Sequence, residues 1–370
     1  MKASALCLSE IRASNLRCHE EIEWRCEKGM NLILGENGSG KTSLLEAVYL
    51  MGHGRSFRQA RDPFLTRHGS CGFNIDGKWT RFGPVRVRVG SSSSGIKIHL
   101  QGRPLQKRSE LNEALPVLVE SPQAARVIDG IPAERRRWLD QMMLYCRPDI
   151  VLHYQAYLRC LMQRSRLLRR RLGDAEISVW EEQMVAHGSV LIALRNELLE
   201  ALNQELSEER VLTESPLSLH IKTSSPPLNG AWLVKLAEQR KRGLTILRMG
   251  PHCDRLQILF GPRDIRAVGS RGQQKLAAIA LRLAECKLRM QHRGLIPVLL
   301  LDDCFEALDP NRGSRLVDRL QAYPGQILMT APVGTRYGQD KNIHCTILKS
   351  EQVNQLAGAV RATCNMEEAA

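Results

Sequence analysis

The chain has 370 residues, 43% hydrophobic and 25% charged, a globular composition with room for one large domain or two to three ordinary ones. No apolar run approaches the roughly 18 residues needed to span a bilayer, and no signal-peptide core follows Met1-Lys2-Ala3-Ser4, so a cytoplasmic protein without a membrane segment is expected. A formal net charge of +14 points to a polyanionic partner without naming it, and the 11 cysteines, with no C-x-x-C or zinc spacing, read as reduced thiols.

Residues 1–34 read as β-rich. Leu6, Leu8 and Ile11 alternate loosely with polar positions, Ile22 and Trp24 repeat the pattern, and 30–34 is a short buried strand. That strand runs into Gly35-Glu36-Asn37-Gly38-Ser39-Gly40-Lys41-Thr42, and an apolar helix follows over 43–50. Strand, glycine-rich loop, Lys-Thr and helix are the context that gives the pattern G-x-x-x-x-G-K-T its meaning. The glycines let backbone N–H groups close around phosphates, and the helix N-terminus adds donors and partial positive charge. Lys41 would reach the β- and γ-phosphates, and Thr42 would hold Mg²⁺ through its hydroxyl.

Residues 52–113 read as a small β-rich insertion. Val85-Arg86-Val87-Arg88-Val89 and Ile96-Lys97-Ile98-His99-Leu100 each alternate strictly around turn residues, a hairpin signal. Gly52-His53-Gly54-Arg55-Ser56-Phe57-Arg58 reads equally as a solvated loop or as one bearing on nucleotide or DNA. From 115 to 245 the pattern turns helical. Val151, Tyr154, Leu158, Leu161, Ser165, Leu168 and Leu172 form one seam, and Met184, His187, Leu191, Leu194, Leu198 and Ala201 form another beyond Gly173. Two seamed helices joined by a short turn predict an antiparallel hairpin, either projecting or packed as an ordinary core pair. Arg135-Arg136-Arg137, Arg164, Arg166, Arg169-Arg170-Arg171 and Arg240-Lys241-Arg242 crowd this region, which favours contact with a DNA backbone.

From about 245 the α/β pattern returns. Ser270-Arg271-Gly272-Gln273-Gln274-Lys275 opens a helix predicted over about 273–290, a second anion site if its hydroxyl and N–H groups face a phosphate. Pro297-Val298-Leu299-Leu300-Leu301 reads as a buried parallel strand ending in Asp302-Asp303. After a phosphate loop, that acid-ended strand places Asp302 at Mg²⁺ and Asp303 where a carboxylate orients the attacking water. Strands are expected at 326–329 and 344–348, and an unstructured tail at 365–370.

The phosphate loop, the Ser-x-Gly-Gln signature, the Asp-Asp strand end and the D-loop-like Glu306-Ala307-Leu308-Asp309 together resemble ABC-type ATPases of the chromosome-maintenance branch. Five further segments narrow the resemblance to the RecF family: Asn15-Leu16-Arg17, the loop at 52–58, Gly130-x-Pro132-Ala133-Glu134-Arg135-Arg136-Arg137-Trp138-Leu139-Asp140, Gly250-Pro251-His252 and the stretch 269–275. The resemblance spans nearly the whole chain. It implies an α/β fold, a P-loop ABC-type ATPase head built from both chain ends with an inserted helical hairpin domain. The expected division is 1–114 for the N-terminal part of the head, 115–245 for the helical arm and 246–370 for the C-terminal part.

The resemblance also implies an ATP-dependent homodimer in which Ser270, Gly272 and Gln273 of one copy cap the γ-phosphate held by Lys41 of the other. It implies slow hydrolysis, binding to single-stranded, gapped or junction DNA, RecR- and RecO-type mediator partners, recombinase loading and SOS induction. It places Arg17 near the adenine and Gln123 of Ser121-Pro122-Gln123 at the Q-loop. Three departures stand out: Gln123-Ala124 replaces an acidic pair, Cys253-Asp254-Arg255 follows Pro-His where Arg-Asp-Asp is usual, and Thr330 replaces a switch histidine. The rival reading is an ATPase subunit coupled to a membrane transporter; the arginine-rich helices and the missing histidine argue against it. No N/T-K-x-D guanine-reading motif supports a GTPase.

Overall fold

The structure is a computed structural model that describes residues 4–58, 64–92, 95–122, 127–170, 173–227, 229–339 and 343–348. The chain divides into two compact units, 1–124 with 294–370, and 125–293.

The first unit is built on a five-stranded parallel sheet in the order Ile343–Leu348, Met30–Gly35, Ile327–Pro332, Val298–Leu301, Val117–Glu120. Every residue of Met30–Gly35 and Val298–Leu301 is buried. This is why those strands read as unbroken apolar runs: strands covered on both faces have no solvent side to alternate with. A six-stranded antiparallel sheet follows the order His19–Arg25, Cys7–Leu16, Asn74–Thr80, Pro84–Ser92, Gly95–Leu100, Arg103–Pro104. Here one face is dry, and the sequence alternates accordingly. Leu8, Ile11, Ile75, Trp79, Val87, Val89 and Ile98 join Leu44, Leu45, Val48 and Met51 of the helix Lys41–His53 in one core. The helix after the phosphate loop is thus fixed by apolar burial rather than by its own propensity. On the wet face Asp76 accepts from both Arg86 and Arg88, at 2.6 and 3.0 Å.

Two expectations shift in this unit. Asn74–Thr80 pairs with Cys7–Leu16, so 52–113 completes a sheet begun by the N-terminus instead of forming a separate insertion. Val117–Glu120 is a parallel strand beside Val298–Leu301, so the switch to helix does not come at 115.

The second unit is mainly helical, with Pro132–Cys146, Val151–Arg169, Asp174–Glu208, Asn229–Lys241 and Arg271–Arg293, and one small antiparallel sheet, Leu217–Lys222 with Arg255–Phe260 and Arg263–Asp264. Val151–Arg169 and Asp174–Glu208 form the expected hairpin. Arg271–Arg293 packs against Pro132–Cys146 and Asp174–Glu208, so the compact unit runs to 293 rather than 245. The first seam is rotated from the expected one. Val151 and Leu158 are more than a third exposed, while Tyr157, Cys160 and Arg164 are buried. The buried Arg164 donates to Glu181 across the hairpin at 2.9 Å, and Arg240 donates to the other Glu181 oxygen at 2.7 Å. A count of apolar residues misses a seam position held by a charge whose partner is remote in sequence. The tail at 365–370 lies outside the described residues.

Candidate nucleotide site

The phosphate loop lies between the strand Met30–Gly35 and the helix Lys41–His53. Glu36, Asn37 and Gly38 are exposed, whereas Ser39 and Lys41 are buried. Gly40 sits at φ 92°, a left-handed conformation that costs glycine little. A methyl group there would also collide with the His19 ring and lie 2.7 Å from the Cys18 sulfur. His19 comes from the tight turn between Cys7–Leu16 and His19–Arg25, and its Nε2 is 3.2 Å from the Gly40 carbonyl. The turn braces the loop from above.

Lys41 Nζ donates to the carbonyls of Gly35 and Glu36 at 2.8 and 2.9 Å. Two of its three N–H groups are thereby used on neutral oxygens, and no ion pair joins it among the described residues. A buried ammonium without a counter-ion is poised to accept an anion. The Ser39 hydroxyl is buried and makes no hydrogen bond among the described residues. An orphaned hydroxyl, a cation without an anion and open space beside Gly38 suit a phosphate chain.

Thr42 and Asp302 meet in the structure. Thr42 Oγ1 donates to Asp302 Oδ1 at 3.0 Å. Thr330 Oγ1 donates to the same oxygen at 2.8 Å, and Ser121 Oγ lies 3.4 Å from Asp302 Oδ2. Asp302 ends Val298–Leu301, and Thr330 lies in the adjacent parallel strand Ile327–Pro332, which is why two remote residues converge. Three hydroxyls around one carboxylate form an all-oxygen donor set, which suits a hard cation such as Mg²⁺. Asp303 follows at φ 49°, and its N–H donates to Thr330 Oγ1 at 2.8 Å. Thr330 therefore links the two acids. Beyond them, Ala307 is also left-handed (φ 62°), and Asp309 caps Pro310–Gln321 by accepting from the N–H groups of Asn311 and Arg312 at 3.0 Å.

Arg17 sits at φ 57°, and its Nε and Nη2 donate to the two oxygens of Glu46, both at 2.9 Å. Its Nη1 donates to the Phe64 carbonyl at 2.7 Å. Glu46 is fully buried, accepts from Ser56 Oγ and lies 3.9 Å from Arg58. The loop at 52–58 is thus tied to the phosphate-loop helix through Glu46. Sequence reasoning missed Glu46, yet a signal was present: one acid inside the apolar run Leu44-Leu45-Glu46-Ala47-Val48 demands a buried partner. His19 carried no such signal, because its contact depends on how two sheets meet.

Ser270, Gly272 and Gln273 belong to the second unit, where they open Arg271–Arg293. Ser270 N–H donates to Gln273 Oε1 at 2.9 Å, and Gln273 N–H donates to Ser270 Oγ at 3.3 Å. This reciprocal capping box uses one lone pair of the hydroxyl and leaves its O–H able to donate outward. Gln123 lies outside the described residues.

Comparison with known proteins shows the family and the fold. Residues 7–339 match the family model described as the RecF/RecN/SMC N terminal domain. A DNA replication and repair protein RecF from Stenotrophomonas maltophilia is 32% identical over 344 residues, covering 90% of this chain and 93% of the relative. A solved structure of the recombination mediator protein RecF with ATPrS, from the RecFOR pathway, superposes with a TM-score of 0.75 at 25% identity, covering 94% of this chain and 97% of that one. An Smc head domain from Pyrococcus furiosus shares the fold at a TM-score of 0.57 and 16% identity, covering 96% of this chain and 100% of that one. With its phosphate loop, acid-ended strand and Ser-capped signature helix in an ABC-type α/β fold, the chain belongs to the RecF family of DNA replication and repair proteins.

Proposed function

We propose that the chain is an ATP-gated DNA-binding protein of replication and recombinational repair. One observation carries the reading: the buried Lys41 ammonium, held by loop carbonyls and without an ion pair among the described residues, lies in the same site as the Thr42–Asp302–Thr330 hydrogen-bonded set. In this reading Gly35, Glu36, Asn37, Gly38, Ser39 and Gly40 wrap the phosphates of ATP. Lys41 leaves its two carbonyls to neutralise them, and Arg17 borders the base. Thr42 and Asp302 would hold Mg²⁺, which would supply positive charge against that of the phosphates. Asp303 orients the attacking water, held in place through Thr330, and no histidine acts at that position.

The capped Ser270, with Gly272 and Gln273, completes the site of a second copy, so that ATP holds a homodimer together and slow hydrolysis releases it. The relatives' names support replication and repair, and the solved relative supports ATP and a RecFOR-type pathway with RecO- and RecR-like partners. Recombinase loading and SOS induction are the downstream steps of that reading. Among the described residues no helix is long and apolar enough to cross a membrane; the transporter-coupled alternative would place such helices on another chain, and the arginine-rich helices and the missing switch histidine argue against it.

The test is to size the protein with and without a slowly hydrolysed ATP analogue on short gapped DNA, alongside Lys41→Arg. Analogue-dependent dimers that Lys41→Arg abolishes are expected. A protein that stays monomeric throughout refutes the shared site, and a DNA affinity insensitive to salt refutes the phosphate-backbone contact.

A further inference from the structure

The arginine clusters of the second unit separate into two kinds. Arg135 donates to the carbonyls of Leu256 and Ile128, and Arg164 and Arg240 converge on Glu181, so these charges are consumed inside the unit. The outward cations gather elsewhere. Val151–Arg169 exposes Arg166 and Arg169, and Arg170 caps it. The segment 241–248 exposes Lys241, Arg242 and Arg248. These stretches are remote in sequence but stitched together: Arg164 Nη1 donates to the Leu244 carbonyl at 3.4 Å, and Ser165 Oγ donates to the Thr245 carbonyl at 3.2 Å. Arg169 Nε is held against its own helix at the Ser165 carbonyl, 3.1 Å away. Among the described residues no carboxylate pairs with any of the six cations. Glu238, one turn before Arg242, is the acid nearest in sequence to this loop.

The apolar residues of the same loop add a second feature. Over 244–249 the side chains alternate: Leu247 and Met249 are buried, while Leu244 is 46% and Ile246 75% exposed. Two branched apolar side chains therefore stand outward on the segment that also exposes Lys241, Arg242 and Arg248. A solvated helix end would need neither.

We propose that this patch is where DNA is gripped at a junction of paired and unpaired strands. The cations take successive phosphates, and Leu244 with Ile246 press on a base that has lost its stacking neighbour. Charge complementarity supplies the affinity, and apolar side chains flanked by cations are suited to unstacked base steps. The proposal rests on the DNA-binding reading above and assigns it a surface and a discriminating contact.

The test compares gapped DNA with fully paired DNA of equal length, by fluorescence anisotropy across a salt series. Arg166→Gln/Arg169→Gln/Arg242→Gln should weaken both DNAs by roughly tenfold or more at 0.1 M salt and flatten the log–log salt slope by about two to three. Leu244→Ser/Ile246→Ser should keep the slope and the duplex affinity while cutting the preference for gapped DNA roughly tenfold, the scale of one lost base contact. Both variants should retain wild-type nucleotide binding and thermal unfolding, since the replaced side chains are exposed. Wild-type protein that binds DNA while both variants match it in affinity, slope and preference overturns this patch and leaves the DNA-binding reading intact. Wild-type protein that binds no DNA with any nucleotide overturns that reading and this proposal with it. Unchanged DNA binding with lost capture of an acidic, leucine-bearing peptide overturns the DNA assignment.

Discussion

Replacing Thr330 by valine removes one hydroxyl and almost no volume. Thr330 is fully buried, and its Oγ1 both donates to Asp302 at 2.8 Å and accepts the Asp303 N–H at 2.8 Å. A hydrogen bond to a carboxylate contributes about 1.5–3 kcal/mol, and a buried amide left without its acceptor costs about 1–3 kcal/mol. The two terms share one atom, so we expect a loss of about 3 kcal/mol rather than their full sum. That corresponds to a fall of about 6–12 °C in Tm for a unit of this size. Thr330→Ser keeps the hydroxyl and loses one methyl group, about 1 kcal/mol. Scanning calorimetry of the nucleotide-free protein should therefore rank wild type, serine and valine in that order. The same bond holds Asp303 in its left-handed conformation, so Thr330→Val should lower ATP hydrolysis far more than ATP affinity, with Thr330→Ser restoring most of it. A valine variant that melts and hydrolyses like wild type refutes the linkage, as does a serine variant no better than valine in either assay.

Arg195 in the helix Asp174–Glu208 donates to Asp140 at 2.6 and 3.0 Å and to Asp254 at 3.3 Å, all three being buried. Arg195→Met leaves two buried carboxylates without their shared cation and should cost about 3–5 kcal/mol in denaturant unfolding, partly recovered by adding Asp140→Asn; a loss below about 1 kcal/mol would show that the triad is not coupled. Burial pushes the Glu285 carboxyl up, but Arg289, Arg282 and the Trp138 N–H outweigh it and hold it below the ordinary glutamate value of 4.5. Its stabilising effect is therefore complete above that value and lost as pH falls through the lower folded one. Glu285→Gln should be less thermostable than wild type at pH 7, with the gap closing below about pH 4, and a gap independent of pH would contradict the charge account. Gly40→Ala meets both a left-handed backbone and the His19 ring, so ATP binding should fall by tenfold or more, roughly what 1–3 kcal/mol of loop strain produces; calorimetric titration with unchanged affinity would show that the turn does not brace the loop.

The head was legible because each of its elements carries a local signature. Buried parallel strands appear as unbroken apolar runs, wet-faced strands alternate, and the glycine spacing at 35–42 follows from phosphate geometry. Thr42 and Asp302, which the sequence reading placed in one site, are joined by a hydrogen bond of 3.0 Å. The arm was legible as a hairpin but not as a packed surface. Its seam reading favoured Val151 and Leu158 and passed over Arg164, because hydrophobic periodicity treats every arginine as solvent-facing. The arginine runs looked like one electrostatic footprint, yet Arg135, Arg164 and Arg240 spend their charge internally while Arg166, Arg169 and Arg242 remain outward.

The phosphate loop, the acid-ended strand, the helix opened by Ser270 and the RecF-like order in which they follow one another could be read from the residues alone. These depend on residues close together in the chain, where backbone geometry dictates the pattern. It took the folded chain to show that Thr330 joins the two acids, that Glu46 anchors Arg17, that His19 closes over Gly40, and which arginines face water. Those outcomes depend on which strands lie side by side and which buried charge finds its partner, and strand order and ion pairing join residues whose separation in sequence carries no periodic signal.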